Sequence, residues 1–263
     1  MRSIYLIFLV VFINACGKYQ KVLKSTDTEY KYAKAVEYYD NGDFNRALPL
    51  FNELRTIMIG TSKIEKVSYY FAYSHYSTGD YLMAAYLFNR YSNNYPKSIH
   101  AEECMYMSAY CYYLESPDYS LDATNNYKAI KELQNFINKY PTSDKVDKCN
   151  LLLDELQLKL SKKAFENAKQ YFTTENYKSA IIALNNVLVD YPSINNREEI
   201  YYLIIQSSYL LAINSINAKI LERLESTLDV YNYFKDNYKE SKYLDELSII
   251  YNKTNQKIQQ LKI

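Results

Sequence analysis

The apolar positions of this chain form one short run, followed by a long series of helix-like patterns. The run Ile4–Ile13 follows the cationic Arg2 and ends just before Ala15 and Cys16. A positive start, about 7–15 apolar residues and a small residue at the cleavage point are typical of a secretory signal. So short a run cannot span a bilayer as a helix. The pattern predicts that residues 1–15 are a signal peptide that is removed.

The cysteine that ends this segment indicates a lipid anchor. Ile13-Asn14-Ala15-Cys16 resembles the bacterial lipobox, in which the cysteine becomes the first residue of the mature chain. Its thiol would form a thioether to diacylglycerol and its amine would be N-acylated, and several acyl chains hold a protein on a membrane far more firmly than one. We expect residues 16–26 to be the lipidated tether, and we expect no other cofactor. The alternative is an ordinary signal peptide with a chance cysteine.

Beyond this segment the chain repeats one pattern of small and large apolar positions. Two small residues lie twelve positions apart, and a large apolar residue follows the second after four more. Three copies keep this spacing: Ala35, Ala47 and Phe51; Ala72, Ala84 and Phe88; Ala168, Ala180 and Leu184. The small residues let two helices approach closely, and Gly42 and Gly79 suit a turn with positive φ between them. The spacing resembles the tetratricopeptide repeat.

Two further copies of the repeat are longer. Ala109 and Ala129 lie twenty positions apart, and the added residues fall around the turn-forming stretch Glu115–Asp122. Ser208 and Thr227 lie nineteen positions apart. These two copies therefore have either longer connections or longer helices.

The rest of the pattern completes an all-helical fold. No helix breaker occurs from Asp144 to Tyr171, which predicts one long helix or two nearly continuous helices. Ser98, Ser143 and Ser193 follow closing Tyr-Pro pairs, and we expect serine or threonine at these places to cap the next helices. Residues 242–263 are amphipathic and suit a capping helix. We predict an all-α fold, a right-handed α-solenoid of about five tetratricopeptide-like helix pairs plus a C-terminal capping helix.

Composition supports helices and limits the possible partners. Four glycines and five prolines are too few to close many strands. A net charge of +1, from 31 basic and 30 acidic residues, does not favour binding of nucleic acid. Three cysteines remain after Cys16, namely Cys104, Cys111 and Cys149. Their odd number and their spacing indicate buried small side chains rather than disulfides.

No set of residues has the spacing of a catalytic or metal site. His75 and His100 are the only histidines, and neither has a cysteine or a carboxylate at ligand spacing. Asp118 and Asp122 flank a turn but lack the glycine and the glutamate of a calcium loop. We therefore expect no enzymatic activity and no bound metal.

Tyrosine is the unusual residue of this chain, with 32 copies and no tryptophan. Several tyrosines recur at helical spacing along the first helix of each predicted pair, and not all of them fit in a core. We expect a partly exposed, tyrosine-lined groove made by Tyr32, Tyr39, Tyr69, Tyr73, Tyr76, Tyr106, Tyr110 and Tyr113. Aromatic anchors with adaptable hydroxyls suit the aromatic-terminated tails of unfolded outer-membrane proteins. The alternative for each ring is packing between helices.

The lipobox, the repeats and the length together resemble the BamD family, the lipoprotein subunits of the β-barrel assembly machine. The resemblance covers nearly all of the mature chain. Its most specific parts are residues 16–25, which look like the Bacteroidota form, the Tyr-Pro pairs at Tyr95 and Tyr140, the triplet Met105-Tyr106-Met107, and residues 168–180.

This resemblance implies a function, partners and a location. Residues 27–141, the first three helix pairs, would bind unfolded outer-membrane β-barrel proteins. Residues 142–263 would dock on the periplasmic POTRA domains of the Omp85-type barrel protein BamA. The protein would be lipid-anchored in the outer membrane and face the periplasm. One departure from the family is Asn185-Asn186, where proteobacterial members carry an arginine important for docking.

Two other classes of protein remain open. A periplasmic tetratricopeptide lipoprotein that coordinates cell-envelope or peptidoglycan machinery needs no barrel partner. It predicts a trimerising N-terminal segment, for which residues 18–30 are too short. A nutrient-binding outer-membrane lipoprotein predicts a long ligand-binding subdomain, and the insertions in the two longer repeats are too small for one.

Overall fold

The structure, a computed structural model, describes residues 17–262, and all regular secondary structure in these residues is helical. Residues 17–23 are helical. The longer helices are α1 (Thr28–Asp40), α2 (Phe44–Ile57), α3 (Ile64–Ser77), α4 (Tyr81–Asn94), α5 (Ala101–Leu114), α6 (Thr124–Lys139), α7 (Val146–Thr173), α8 (Tyr177–Asp190), α9 (Arg197–Ile213), α10 (Asn217–Asn237) and α11 (Leu244–Leu261). The predicted signal peptide, residues 1–15, and Cys16 lie outside the described residues.

The chain divides into two compact units, an N-terminal unit (Met1–Leu156) and a C-terminal unit (Gln157–Ile263), and α7 begins in the first and ends in the second. In the N-terminal unit, each helix from α1 to α6 packs on the next one. In the C-terminal unit, α8 to α11 do the same, and α11 also packs on α9. The predicted all-α fold of helix pairs with a C-terminal helix is confirmed. The sequence-based limits 27–141 and 142–263 remain predictions.

The repeat positions form the centre of each helix pair. Those found from the spacing of twelve and four are all buried: Ala35, Ala47, Phe51, Ala72, Ala84, Phe88, Ala168, Ala180 and Leu184. The alanines allow close approach of the paired helices, and the Phe51 ring lies against Tyr70 of the next pair with centroids 5.6 Å apart. Burial of a phenylalanine or leucine stabilises the fold by about 1.5–3 kcal/mol. The burial of these residues confirms the helix pairs predicted from their spacing.

The turns inside the first, second and fourth helix pairs each contain one residue with a left-handed backbone conformation. Gly42 has φ +74° and Gly79 has φ +80°. The next residues, Asp43 and Asp80, begin α2 and α4, and their carboxylates accept hydrogen bonds from backbone N–H groups in the first turn. In the fourth pair, Glu175 is at the turn position that glycine occupies in the first two pairs, and its φ is 59°. A residue with a Cβ is strained there, whereas glycine is not.

The two longer repeats have different structural explanations. In the third pair the extra residues form the connection 115–123 between α5 and α6, where the sequence predicted an insertion. In the fifth pair the connection is short, residues 214–216, and the helices are longer, with 17 residues in α9 and 21 in α10. The stretch without a breaker is one helix of 28 residues, α7.

The serines after the Tyr-Pro pairs do not cap helices. The hydroxyl oxygen of Ser98 accepts a hydrogen bond from the backbone N–H of His100, and Ser143 does the same for Lys145, each at 3.2 Å. The residue before α5 is His100, which makes no side-chain cap. The prediction of helix caps is wrong, because the hydroxyls of Ser98 and Ser143 each bond to the N–H two residues on, within the turn before the helix.

The described part of the predicted tether packs on the first helix pair. Val22 is buried, and the Tyr19 ring meets the edge of the Tyr38 ring with centroids 5.8 Å apart. The Tyr19 hydroxyl donates a hydrogen bond to the backbone oxygen of Arg46 at 3.3 Å. Residues 17–23 are thus part of the packed N-terminal unit.

Candidate functional site

The eight tyrosines predicted to line a groove lie on the first helices of the three pairs in the N-terminal unit. Tyr32 and Tyr39 are on α1; Tyr69, Tyr73 and Tyr76 are on α3; Tyr106, Tyr110 and Tyr113 are on α5. Seven of them are half-buried. Tyr106 is only 6% exposed, so its ring contributes packing rather than accessible surface.

Aromatic contacts connect these rings across neighbouring helices. Tyr39 of α1 lies against Tyr70 of α3, with ring centroids 4.4 Å apart. Along α3, Tyr69 and Tyr73 are 4.8 Å apart, and along α5, Tyr110 stacks on Tyr113 at 5.9 Å. Tyr70 was not among the predicted groove residues, although it directly follows Tyr69 in the sequence. We call the half-buried rings the tyrosine surface: Tyr32, Tyr39, Tyr69, Tyr70, Tyr73, Tyr76, Tyr110 and Tyr113.

The carboxylate of Glu103 organises the centre of the tyrosine surface. It accepts a hydrogen bond from the Tyr69 hydroxyl at 3.0 Å and another from the Tyr73 hydroxyl. His100 lies over the Tyr69 ring at 4.4 Å, and its Nδ1 is 3.5 Å from the same carboxylate. Burial, together with the adjacent carboxylate, raises the pKa of Tyr69 and of Tyr73. Both hydroxyls are therefore neutral donors at ordinary pH.

The start of α7 adds charged groups to one end of the tyrosine surface. The Lys148 ammonium lies 5.0 Å from the Tyr110 ring centroid and 5.8 Å from that of Tyr106. The Tyr113 hydroxyl donates a hydrogen bond to the Glu155 carboxylate, and this bond raises the pKa of Tyr113 to about 12. The sequence analysis missed Lys148 and Glu155, because only folding brings α7 beside α5.

Lysines border the other end of the same surface. The Lys63 ammonium lies 5.0 Å from the Tyr32 ring centroid, and the Lys66 ammonium lies 5.4 Å from that of Tyr70. Burial raises the pKa of Tyr39 to about 12. The surface therefore combines apolar ring faces with lysines at both ends and with the Glu103 carboxylate at its centre. Such a surface can bind a segment whose side chains alternate between apolar and polar.

A tyrosine-to-glutamate hydrogen bond also joins two helices of the C-terminal unit. The Tyr202 hydroxyl of α9 donates to the Glu246 carboxylate of α11 at 2.8 Å, and Gln206 donates to the same carboxylate at 2.9 Å. The Tyr202 ring stacks on Tyr243 with centroids 4.5 Å apart. Both units therefore contain a hydrogen bond from a tyrosine of one helix to a glutamate of another, which the sequence alone did not indicate.

The two histidines lie beside carboxylates, and the three described cysteines are buried. The Nδ1 of His75 lies 2.9 Å from the Asp80 carboxylate, at the turn between α3 and α4. Cys104, Cys111 and Cys149 are free and buried, and burial raises the pKa of each thiol. Among the described residues, no cluster of three or more histidines, cysteines and carboxylates could hold a metal ion. The structure thus defines a helical-repeat protein with an aromatic surface on its first helices.

The comparisons with known proteins identify the family. The chain belongs to the YfiO family, described as "Outer membrane lipoprotein", which matches residues 24–224. No curated protein matches the sequence. Within residues 17–262, no helix is both long and apolar enough to cross a membrane.

Solved structures with similar architecture are tetratricopeptide-type repeats. The TPR2AB domain of yeast Sti1, in its pHSP90 complex, is 16% identical, covers 87% of this chain and 98% of its own, and has a TM-score of 0.37. A kinesin light chain of Podosopora anserina with nearly identical TPR-like repeats is 12% identical, covers 80% of this chain and 96% of its own, and has a TM-score of 0.33.

Proposed function

We propose that this protein is a non-enzymatic lipoprotein subunit of the β-barrel assembly machine, which promotes folding and insertion of β-barrel proteins into the outer membrane. Membership of the YfiO family of outer membrane lipoproteins supports a role at that membrane. In this proposal Cys16 carries the diacylglycerol thioether and the N-acyl chain, and the helical units face the periplasm.

The tyrosine surface is the observation that carries the proposal. Strands of outer-membrane barrels alternate apolar and polar side chains and are rich in aromatic residues. Rings such as Tyr76 and Tyr110 offer aromatic contacts to the apolar side chains of such a strand. Its polar side chains can meet the charges of Lys148 at one end of the surface and of Lys63 and Lys66 at the other. Half-buried tyrosines already held by neighbours lose little conformational entropy on binding. The surface therefore suits unfolded barrel segments, including aromatic-terminated tails.

The C-terminal half supplies the second interaction in this proposal. Residues 142–263 dock on the POTRA region of the Omp85-type barrel protein, as the family resemblance implies. Asn185 and Asn186 are exposed on α8, so a docking partner would meet two amides there instead of an arginine. The contact in this chain therefore relies on other side chains of the C-terminal half.

Affinity purification of the full-length lipoprotein in mild detergent tests the assembly. Mass spectrometry should find an Omp85-type barrel protein in stoichiometric amount. The Cys16→Ser variant should reduce the recovery of this pair from outer membranes. Recovery of peptidoglycan enzymes without a barrel protein would instead support the scaffold class.

Binding of a fluorescent peptide from a barrel's C-terminal strand tests the tyrosine surface separately. The double variant Tyr76→Ala/Tyr110→Ala should weaken saturable binding about tenfold or more, because aromatic anchors dominate such interfaces. Tyr127→Ala is the matched control, since Tyr127 is 58% exposed on α6, outside the tyrosine surface. Equal loss in both variants, or no saturable binding to the unaltered protein, would contradict this function of the surface.

A further inference from the structure

A pocket lies on the second helices of the first two pairs, and the centroid of the Tyr91 ring in its lining is 5.9 Å from that of the Tyr69 ring of the tyrosine surface. It is formed by the end of α2, the start of α3 and the end of α4, and its volume is about 480 Å³. Its polar lining includes Arg55, Thr56, Ser68, Arg90 and Asn94. Ile59, Ile64 and Leu87 supply apolar walls. Binding pockets for small molecules have volumes of about 300–1,000 Å³, so this one can hold more than a single inorganic ion.

The two arginines of this pocket lack an acidic partner. Among the described residues, neither guanidinium forms an ion pair. The other described arginines each contact an acceptor: Arg46 pairs with Asp43 at 3.1 Å, Arg197 donates to the backbone oxygen of Pro192 at 2.9 Å, and Arg223 donates to Ser215. Arg55 and Arg90 are thus the exceptions among the described arginines.

The local environment leaves a positive charge that is not offset. Burial and the nearby charge of Arg90 both lower the pKa of Arg55. The Arg55 guanidinium is held over the Phe71 ring, 4.5 Å from its centroid. Arg55 is in the last turn of α2, where the helix dipole offsets roughly half a charge. Because neither guanidinium has an ion-pair partner among the described residues, an anion that contacts both of them would be stabilised.

We infer that the pocket between α2 and α4 binds the phosphate group of an organic phosphate, either the headgroup of an anionic phospholipid or a soluble phosphate ester. Each guanidinium carries five N–H donors and matches phosphate oxygens in pairs. The hydroxyls of Thr56 and Ser68 and the amide of Asn94 add donors at the same site. A phosphate presents more acceptor oxygens than a carboxylate and can accept hydrogen bonds from both guanidiniums at once, and the apolar walls suit a ligand with an apolar body.

Calorimetric titration of the purified full-length chain in a nonionic detergent tests this site. The probes are glycerol 3-phosphate, dihexanoyl phosphatidylglycerol and hexanoate. Both phosphates should bind saturably, and Arg90→Gln should weaken binding roughly tenfold or more. Arg46→Gln on α2 should bind as the unaltered protein does, because Arg46 already has an acidic partner. Partition of the lipid into micelles is the same for all variants, so their difference reports on the pocket.

Each outcome of this titration decides a part of the inference. Tighter binding of the lipid than of glycerol 3-phosphate identifies a phospholipid headgroup as the ligand, and equal binding identifies a soluble ester. Hexanoate binding as tight as either phosphate would overturn the assignment to phosphate. Equal effects of Arg90→Gln and Arg46→Gln, or no binding at millimolar probe concentrations, would overturn the site.

Thermal unfolding distinguishes a binding arginine from a structural one. Without a ligand, Arg90→Gln should unfold at the same temperature as the unaltered protein or higher, because the repulsion from Arg55 is removed. Added glycerol 3-phosphate should raise the unfolding temperature of the unaltered protein and not that of the variant. A lower unfolding temperature of Arg90→Gln without ligand would show that Arg90 stabilises the fold and would contradict the inference.

Discussion

The Tyr73 hydroxyl donates a hydrogen bond to the Glu103 carboxylate and thereby joins α3 to α5, the first helices of successive pairs. The bonds from Tyr113 to Glu155 and from Tyr202 to Glu246 join α5 to α7 and α9 to α11 in the same way. The many tyrosines of this chain therefore have two roles. Their hydroxyls fix one helix pair to the next, and their rings form a surface whose orientation is set in advance.

Removal of one such hydroxyl should weaken the N-terminal unit. Tyr73→Phe keeps the ring but leaves the Glu103 carboxylate with one hydroxyl donor fewer. We expect a loss of about 1–2 kcal/mol in the free energy of unfolding, because the acceptor is charged and partly buried. Circular dichroism during denaturant unfolding measures this free energy. Tyr127→Phe on the exposed face of α6 is the control, and an equal loss in both variants would show that the Glu103 bond contributes nothing.

Alkaline pH should unfold the protein as its tyrosines ionise. Burial raises the pKa of Tyr39 and of Tyr202 to about 12. The unfolded chain releases these protons near pH 10 while the folded chain keeps them, so stability is full below about pH 10 and falls as pH rises toward 12. The absorbance of tyrosinate and the helical circular dichroism should change together in that range. Full ionisation near pH 10 with intact helices would contradict the burial of these rings.

Substitutions at two equivalent turn positions, Gly79 and Glu175, should change the stability of the protein in opposite directions because of backbone strain. Gly79→Ala should destabilise the protein by about 1 kcal/mol, because φ is +80° there. Glu175→Gly should stabilise it by up to about 1 kcal/mol, because Glu175 has φ 59° and glycine is not strained there.

Gly17→Ala is the control for these turn variants. Gly17 is in a helical segment with open space around its Cβ position, so the substitution should change the unfolding midpoint little or raise it slightly. Thermal unfolding of the three variants measures the order of their unfolding temperatures. A destabilising Glu175→Gly would show that Glu175 contributes a contact that outweighs its strain.

The three buried thiols should resist modification in the folded protein. Burial raises the pKa of Cys149 to about 11 and that of Cys111 to about 12, so almost no thiolate is present at pH 8. With Cys16→Ser, the folded chain should react with a thiol reagent at least about a hundredfold more slowly than the denatured chain. Ser120→Cys in the exposed connection 115–123 is the positive control. Fast reaction of all three thiols in the folded chain would contradict their burial.

The spacing of small residues was sufficient to predict the helix pairs. Ala35 and Ala47, twelve apart, are both fully buried where α1 meets α2, and even Ser208 and Thr227 in the fifth pair are buried. This works because a tetratricopeptide-like repeat buries the same positions in each copy. The spacing cannot say whether extra residues lengthen a loop or a helix, since both keep the buried positions in place.

The candidate site was predicted only in part. The helical spacing of the tyrosines located the surface, but it could not separate the buried Tyr106 from the half-buried Tyr110, because neighbouring pairs decide their exposure. Arg55 and Arg90 were not found from the sequence. They lie on helices of different pairs, and only stacking of the pairs brings two unpaired guanidiniums to one pocket.

The most direct test of the tyrosine surface is photo-crosslinking in living cells with benzoylphenylalanine in place of Tyr110, and in a second strain in place of Tyr127. The account predicts adducts between position 110 and unfolded outer-membrane β-barrel proteins, with few or none at position 127 on α6. Equal adducts at both positions, or adducts at position 110 only with peptidoglycan enzymes, would contradict the claim that this surface receives barrel substrates.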